Sequence, residues 1–596
     1  MLAIQLSDSE DQPLRASGPA REVAYVPSFR SLGALHQHQA ETRGDAIALR
    51  HWSEGAWHSV SWREWHRQSR ALAAALLALG VVPGDRVAVL ASTGLQWAEV
   101  DLAAQLIGAV VVPIYLSSTA DQVCFILKDC DAKVVLCEDA GQLAKVVQHW
   151  SSLPSLERVL SLSASPDPVW SPSLEPGFLR RALAEPGPFV PAWDQLLAFG
   201  QAELDLRGKK IAACLDAVTP DSLATILYTS GTTGVPKGVL LSHGNLLYVA
   251  EAFACTVELD RDDELLIVVP LAHITGRFLL WANVFMGLRS ALAADLTRFM
   301  EHARSARPTH IVCVPRMFEK AALALRGATP ADVLRAFGGR VRLLVSGGAA
   351  LAPGTARFFA DAGLPIGEGW GLTESSGPVT VDPVEPRMGS VGRALPGAEI
   401  RIAADGEVLT ASPGVMRGYH HRPEQSREAL REIDGKTWLC TGDVGRLDAD
   451  GYLWITDRKK DLFKTSGGKY IAPQALENAL KSQSRLISHV AICGSDRKYV
   501  TALVTLNEAD LLAWGSERGY LLRYEELLRR PEVEQAIQAD VDAVNRQLAS
   551  FETIKYFRIL PRDFTIAAGE LTVTAKLRRR AITERYAELI EQMYRC

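Results

Sequence analysis

The chain has 596 residues, enough for several domain-sized units. Hydrophobic residues make up 48% and charged residues 22% of it, and 64 basic against 69 acidic residues give a net charge of −5. This balance excludes the basic footprint of a typical nucleic-acid-binding protein. The most apolar helical stretch, Ala71 to Val82, is shorter than the ~20 residues that cross a bilayer. We expect no transmembrane segment.

Two further features indicate a cytoplasmic location. The N-terminus carries Asp8, Glu10 and Asp11 where a signal peptide would have a basic start and an apolar core. The nine cysteines are odd in number and form no C-x-x-C pair, so we expect free thiols in a reducing compartment. Peripheral contact with the inner face of the membrane is left open.

Helix and strand patterns alternate from residue 59 to 139. We predict a helix from Trp62 to Leu79, a strand from Arg86 to Leu90, a helix from Leu95 to Ile107 and a strand from Ala109 to Tyr115. This alternation predicts a layered α/β fold whose mainly parallel sheet is covered on both faces. A Pro/Ser-rich interval, about 161–191, interrupts the pattern and is interpreted as a surface insertion.

A second α/β region covers residues 221–367, and the pattern changes after Gly397. Short strands with turn signals such as Asp405-Gly406 and Asp450-Gly451 predict a small β-rich subdomain, about 397–457. The charged run 457–461 is interpreted as a linker. We therefore predict a large N-terminal domain, 1–459, and a small mobile C-terminal α+β domain, 460–596.

One loop points to a polyphosphate ligand. After the apolar run Leu223 to Leu227 it reads Thr229-Ser230-Gly231-Thr232-Thr233-Gly234-Val235-Pro236-Lys237. Glycines let backbone N–H groups approach phosphate oxygens, the hydroxyls add donors, and Lys237 supplies a positive charge. It is not a Walker loop, because Lys237 is followed by Gly238 and β-prone residues instead of Ser or Thr opening a helix.

Four more segments follow in a fixed order. They are Gly367-Glu368-Gly369-Trp370-Gly371-Leu372-Thr373-Glu374, Thr441-Gly442-Asp443, Asp457-Arg458-Lys459-Lys460-Asp461 and Thr574-Ala575-Lys576. Together with the loop, they resemble the AMP-forming adenylating superfamily, which contains acyl-CoA synthetases, firefly luciferase and the adenylation domains of peptide synthetases. Five ordered matches over about 350 residues are hard to produce by chance.

The resemblance implies that several residues bind the nucleotide. The loop would hold the β- and γ-phosphates through Thr229, Ser230, Gly231, Thr232, Thr233, Gly234 and Lys237. Thr373 would bind the α-phosphate, Glu374 would hold Mg²⁺, and Trp370 would stack on adenine where the family usually has tyrosine. Further cofactor-binding positions are Gly347, Gly348 and Ala349 in the adenine-side wall, and Glu368, Gly369 and Gly371 beside Trp370.

It also implies roles for residues nearer the C-terminus. Asp443 and Arg458 would clamp the ribose, and Lys460 would be the hinge on which the C-terminal domain turns. Lys464 and Gly467 would belong to the loop that lines the pantetheine tunnel. Lys576 would bridge the carboxylate and the α-phosphate, although Val573 stands where the long-chain branch often has proline.

Two residues of the segment Val269 to Arg277 are assigned by the same resemblance. His273 would lie where the carboxylate meets the phosphate, and Arg277 is placed like the residue that gates the acyl tunnel in long-chain enzymes.

The resemblance implies ATP- and Mg²⁺-dependent activation of a medium- or long-chain fatty acid through acyl-AMP to acyl-CoA. One alternative is an acyl-AMP ligase that loads an acyl carrier protein; an insertion blocking domain rotation would favour it, and none is found between Leu409 and Lys460. The other is a non-catalytic protein that binds adenylates. It predicts the loss of Glu374, Asp443, Arg458 or Lys576, and all four are present.

Overall fold

The computed structural model describes residues 25–163, 192–229, 235–258, 260–467, 469–572 and 576–595. Most of the Pro/Ser-rich interval and five residues of the predicted phosphate loop, Ser230, Gly231, Thr232, Thr233 and Gly234, lie outside these ranges, as does Val573.

The strands, in chain order, are β1 Ile47–Ser53, β2 Ala56–Ser61, β3 Arg86–Leu90, β4 Val110–Ile114, β5 Ala132–Cys137, β6 Arg158–Ser161, β7 Leu223–Thr229, β8 Lys237–Ser242, β9 Glu264–Ile267, β10 Arg289–Leu292, β11 His310–Cys313, β12 Leu343–Gly347, β13 Ile366–Leu372, β14 Gly377–Val381, β15 Arg393–Ala394, β16 Glu399–Ile402, β17 Glu407–Ala411, β18 Gly418–Tyr419, β19 Leu430–Ile433, β20 Lys436–Leu447, β21 Leu453–Arg458, β22 Phe463–Lys464, β23 Tyr470–Ile471, β24 Ile487–Cys493, β25 Val500–Leu506 and β26 Ile554–Ile559.

The α-helices are α1 Leu32–Arg43, α2 Trp62–Ala78, α3 Leu95–Leu106, α4 Ala120–Asp129, α5 Ala140–Val147, α6 Trp193–Ala217, α7 His243–Ala254, α8 Ile274–Met286, α9 Phe299–Ala306, α10 Pro315–Ala324, α11 Pro330–Ala336, α12 Pro353–Asp361, α13 Pro423–Ala429, α14 Pro473–Gln483, α15 Glu508–Glu517, α16 Tyr524–Leu527, α17 Pro531–Asn545, α18 Arg579–Arg585 and α19 Ala587–Tyr594. Short 3₁₀ turns cover Trp150–Ser152, Leu296–Arg298 and Thr373–Ser375.

Two large sheets form the N-terminal part. A nine-stranded sheet has the order β15-β14-β13-β12-β11-β9-β10-β1-β2, and its strands from β13 to β1 run parallel. A seven-stranded sheet has the order β18-β8-β7-β4-β3-β5-β6, parallel from β7 to β6. The predicted parallel α/β layers are therefore confirmed.

Smaller sheets follow along the chain. Strands β16, β17, β20, β19 and β21 form an antiparallel five-stranded sheet, which matches the predicted β-rich subdomain. Beyond it lie the hairpin β22–β23 and the sheet β24-β25-β26, packed against helices of the last 140 residues or so of chain. These helices and strands form the smaller α+β unit that was expected after the large one.

The core follows from the apolar patterns. Helix α2 begins after Ser61, whose side chain accepts a hydrogen bond from the Glu64 amide, as N-cap serines do. Its apolar side buries Trp62 and Trp65 completely, together with Trp97 of α3 and Trp281 of α8.

Eight described cysteines are free. Within the described ranges, no helix is both long and apolar enough to cross a membrane.

Candidate active site

The candidate residues gather where the large sheets end. Strands β12 and β13 stop at Gly347 and Leu372, on the carboxyl side of their sheet, where open α/β sheets bind ligands. In the other sheet Thr229, the last residue of β7, is paired with Lys237, the first residue of β8. The two ends of the predicted phosphate loop are thus held side by side.

The glycine-rich segment before Thr373 departs from the sequence prediction. The strand-like run Leu364 to Ile366 and the glycines after it predict a short strand followed by a turn, but β13 continues to Leu372, pairing Gly369 with Gly347 of β12. The reason is close approach to β14: a Cβ atom on Gly371 would collide with the carbonyl oxygen of Gly377. The glycines therefore extend the strand, and only Thr373–Ser375 forms the turn.

Glu374 and Lys237 meet through Tyr419. The hydroxyl of Tyr419 donates a hydrogen bond of 2.8 Å to Oε1 of Glu374. The Lys237 ammonium lies 5.0 Å from the centre of the Tyr419 ring. Burial lowers the pKa of Lys237, the positive charge of Lys460 lowers it further, and Glu374 and Glu428 oppose both effects. Two lysines and two carboxylates therefore interact here.

Asp443 lies at the centre of a second cluster. It is 3% exposed, it pairs with Arg458 across strands β20 and β21, and its Oδ1 lies 2.5 Å from Nε of Arg458. The indole N–H of Trp370 donates a 2.7 Å hydrogen bond to Oδ2. Burial raises the pKa of Asp443 above its usual range, and Arg458, Trp370 and Lys576 only partly oppose this rise. The ion pair and the indole hydrogen bond thus hold the carboxylate in place.

Trp370 itself is packed more deeply than the resemblance implies. It is 8% exposed and lies in an apolar cluster with Val379, Val408 and Leu453. Its clearest contact is the hydrogen bond to Asp443, so the indole orients the carboxylate. Stacking on adenine stays a prediction.

Lys576 reaches this cluster from the C-terminal unit. Although Lys576 itself keeps exposed surface, the groups around its ammonium partly desolvate it and lower its pKa. Arg458 lowers that pKa further, while Asp443 and Glu374 raise it. Electrostatic interactions therefore link Lys576 to Arg458, Asp443 and Glu374, and Glu374 in turn to Lys237.

A buried carboxylate fixes the segment that carries Lys576. Glu570 is fully buried, and its oxygens accept hydrogen bonds from Arg562, Arg585, the Tyr586 hydroxyl and the Thr565 amide. Next to it, Leu571 forms a β-bridge with Leu577, and the Thr572 amide donates a hydrogen bond to the Lys576 carbonyl.

His273 is positioned as the N-cap of α8. Its Nδ1 accepts a 3.1 Å hydrogen bond from the Thr275 amide. Burial and the nearby Lys576 lower the pKa of His273 to about 4, so the ring is neutral at pH 7. Because Nδ1 is an acceptor, the ring proton lies on Nε2, where it can be donated to a ligand.

Arg277 lies in the protein interior, in a separate cluster with Asp101. It is fully buried, paired with Asp101 and bonded to the Thr225 hydroxyl, while Trp281 donates a 2.9 Å hydrogen bond to the same aspartate. This guanidinium is an internal cross-link between α3 and α8. Its predicted role as the gate of an acyl tunnel stays a prediction.

Three other predicted positions have different local roles. Glu368 is 7% exposed and accepts a 3.1 Å hydrogen bond from the Leu351 amide, and burial raises its pKa to about 7. This bond to Leu351 anchors the chain just after Gly347-Gly348-Ala349. Lys464 lies on β22 with its ammonium 4.6 Å from the Tyr470 ring centre, and Gly467 lies in the connecting turn of that hairpin.

Two residues escaped the sequence reasoning. Tyr419 was not singled out because it lies about 45 residues from Glu374 along the chain, outside every motif that we compared. Glu570 lies just before the Thr574-Ala575-Lys576 segment, and the sequence predicts no role for it. An isolated tyrosine or glutamate carries no sequence signal of its partner.

Comparison with known proteins shows the family to which this chain belongs. A model described as AMP-binding enzyme matches residues 36–420, and one described as AMP-binding enzyme C-terminal domain matches residues 460–596. The chain belongs to the AMP-binding enzyme family. The predicted membership of the AMP-forming adenylating superfamily is thereby confirmed.

Relatives similar in sequence are named as long-chain-fatty-acid–CoA ligases. The long-chain-fatty-acid–CoA ligase FadD15 of Mycobacterium bovis is 34% identical over 599 residues, which cover 92% of this chain and 94% of that protein. The long-chain-fatty-acid–CoA ligase ACSBG2 of Xenopus laevis is 27% identical, covering 96% of this chain and 85% of that protein.

Solved structures share the fold. The anthranilate CoA ligase AuaEII in complex with anthranoyl-AMP has a TM-score of 0.73 at 20% identity, covering 94% of this chain and 98% of that one. The A domain of a carboxylic acid reductase from Segniliparus rugosus, in complex with AMP and a co-purified carboxylic acid, has a TM-score of 0.74 at 23% identity, covering 96% and 95%.

Proposed function

We propose that this AMP-binding enzyme is an ATP-dependent fatty acid–CoA ligase, which converts a medium- or long-chain fatty acid into acyl-AMP and then into acyl-CoA. The observation that carries the proposal is the Arg458–Asp443 ion pair together with the electrostatic interactions that link Lys576 to Arg458, Asp443 and Glu374. The fatty acid as substrate is supported by FadD15, whose name states that activity and which this chain matches over 92% of its length.

The first half-reaction needs two anions to approach each other. A carboxylate oxygen of the fatty acid attacks the α-phosphorus of ATP, and pyrophosphate leaves. Lys576 would neutralise both anions, Lys237 would hold the outer phosphates, and the Nε2 proton of His273 would orient the fatty acid carboxylate. Preorganised charges of this kind are usually the largest contribution to such catalysis.

The ribose and the adenine have their own partners. Ionised Asp443 accepts hydrogen bonds, and Arg458 donates them, so the pair suits the two ribose hydroxyls. The loop from Gly347 to Ala349 and the end of β13 lie side by side and are proposed to flank adenine.

The donor set near Glu374 fits Mg²⁺. Among the described residues there is no group of three or more His, Cys, Asp or Glu side chains able to hold a metal. Mg²⁺ suits such a site, because it commonly takes one or two carboxylates together with substrate phosphates and waters. Glu374 would hold the ion, which would supply charge neutralisation at the phosphates.

The second half-reaction passes the acyl group from AMP to the thiol of CoA. We propose that the C-terminal domain, 460–596, turns about Lys460 between the two steps, so that Lys576 leaves the cleft and the hairpin with Lys464 and Gly467 enters it. The domain boundary, the hinge and the pantetheine role are predictions that follow from the family resemblance.

The test is a product assay. The purified protein is incubated with ATP, Mg²⁺, CoA and carboxylic acids from C2 to C20. We expect AMP, pyrophosphate and acyl-CoA in equal amounts, with the highest kcat/KM for medium or long chains. A protein that makes acyl-AMP but transfers the acyl group to a carrier protein and not to CoA would instead be an acyl-AMP ligase.

A further inference from the structure

Tyr419 stands between the two charged groups that would bind Mg·ATP, and no motif assigns it a role. Its hydroxyl donates to Oε1 of Glu374 at 2.8 Å, and its ring faces the Lys237 ammonium at 5.0 Å. One side chain thus contacts the carboxylate and the lysine with different parts of its structure.

The backbone around Tyr419 fixes its place. Gly418 and Tyr419 form β18, which pairs with Leu240 and Val239 of β8, two and three residues beyond Lys237. The amide of Met416 donates to the Glu374 carbonyl at 2.8 Å, and that of His420 donates to the Gly238 carbonyl at 2.7 Å. The segment 416–420 is therefore hydrogen-bonded to both the glutamate turn and the lysine strand.

We propose that Tyr419 is a positioning residue for the binding of Mg·ATP, an inference that rests on the proposed function. Its hydroxyl fixes the Glu374 carboxylate through one oxygen, which leaves the other oxygen for the metal. Its ring stabilises the Lys237 ammonium as cation–π contacts do. The tyrosine thereby fixes the spacing between the metal ligand and the lysine that holds the outer phosphates.

Two substitutions separate these contributions. Tyr419→Phe removes the hydroxyl and keeps the ring, whereas Tyr419→Leu removes both. The matched control is Tyr452→Phe, because the Tyr452 hydroxyl also donates a hydrogen bond, of 3.1 Å to the Glu385 carbonyl, and Tyr452 has no assigned role in the site. Melting temperatures of the three variants show whether any effect comes from a general loss of stability.

The measurement is the affinity for ATP by titration calorimetry, with Mg²⁺ and with EDTA. Tyr419→Phe should weaken the Mg²⁺-dependent part of binding by about tenfold or more, the size expected for one hydrogen bond to a charged group, and leave binding in EDTA nearly unchanged. Tyr419→Leu should also weaken binding in EDTA, by about threefold, because the Lys237 contact is lost. Tyr452→Phe should change neither.

A double-mutant cycle completes the test. In the Glu374→Gln background, Tyr419→Phe should have little further effect on Mg²⁺-dependent binding, since both substitutions disturb the same carboxylate. Full additivity, or equal affinities for wild type and Tyr419→Phe, would overturn the inference. A wild-type protein that binds Mg·ATP in this tyrosine-dependent way but makes no acyl-AMP would refute the proposed function and leave the role of Tyr419 standing.

Discussion

At the residue scale, the charge of Lys576 has the most specific role. Its ammonium interacts electrostatically with Asp443 and Glu374, beside which we propose that the two anionic substrates meet. Lys576→Ala should therefore slow acyl-AMP formation by a hundredfold or more, since loss of one preorganised charge contact costs about 2.7–4 kcal/mol in the barrier. Single-turnover release of pyrophosphate reports this step.

The same variant should keep the second step. Thioester formation from chemically supplied acyl-AMP is expected to be nearly unchanged, because Lys576 is assigned only to adenylation. Lys555→Ala, which alters an exposed lysine on β26 of the same unit, is the control. Equal losses in both half-reactions would indicate a role of Lys576 in folding or in CoA binding.

Trp370 offers a second test at this scale. Its indole N–H bonds to Asp443 and lowers the pKa of that carboxyl, against the raising effect of burial. Trp370→Phe should raise the KM for ATP by about tenfold, as expected for a lost hydrogen bond to a charged group. The pKa of Asp443 should rise, so the acid limb of the pH profile of kcat/KM for ATP should move to higher pH. An unmoved acid limb would remove Trp370 from the ribose clamp.

At the scale of elements, the Lys576 segment depends on one buried carboxylate. Glu570→Gln should leave the donors of Arg562, Arg585 and Tyr586 imperfectly matched and lower the free energy of unfolding by about 2 kcal/mol. Acyl-AMP formation should fall more than thioester formation, because the segment is assigned to the first step. Urea unfolding followed by fluorescence measures the change in stability.

The pH dependence of that stability has a defined sign. Its arginine partners and other hydrogen bonds lower the pKa of Glu570 to about 2 in the folded protein from an ordinary value of 4.5. Its contribution is therefore fully present above pH 4.5 and is lost as the pH falls towards 2. The stability difference between wild type and Glu570→Gln should shrink in that window, and a constant difference would contradict the assignment.

Elements with a regular apolar pattern could be predicted from the sequence. The strand Arg86–Leu90 has the predicted bounds, and the helix from Trp62 ends one residue earlier than predicted. The strand β13 was misread because its glycines signal a turn locally, whereas pairing with two neighbours extends it. Tertiary pairing overrides local preference at such positions.

Site residues could be predicted from the sequence only where they belong to a recognisable motif. Asp443 and Arg458 could be paired by the resemblance, and they are cross-strand neighbours in the structure. The partners Tyr419 and Glu570 could not be found, because their contacts join segments that are distant in sequence. The Arg277–Asp101 ion pair could not be found either, since sequence does not show that Asp101 is buried beside Arg277.

At the scale of the whole molecule, the proposed two-step mechanism needs the C-terminal domain to move. Lys460→Pro should leave acyl-AMP formation nearly intact and slow acyl transfer to CoA, because proline fixes φ near −65° and a hinge must change its dihedrals. Acyl-CoA appearance from preformed acyl-AMP reports the second step. If both steps fall together, or neither changes, Lys460 is not the hinge.

The central claim is that one cleft makes an acyl-adenylate from ATP and a fatty acid. The most direct measurement is the exchange of labelled pyrophosphate into ATP, with fatty acid present and CoA absent. We predict exchange that requires the fatty acid and Mg²⁺ and falls by about a hundredfold in Lys576→Ala. Absence of exchange in a folded wild-type protein that binds ATP, or exchange unaffected by Lys576→Ala, would contradict this account.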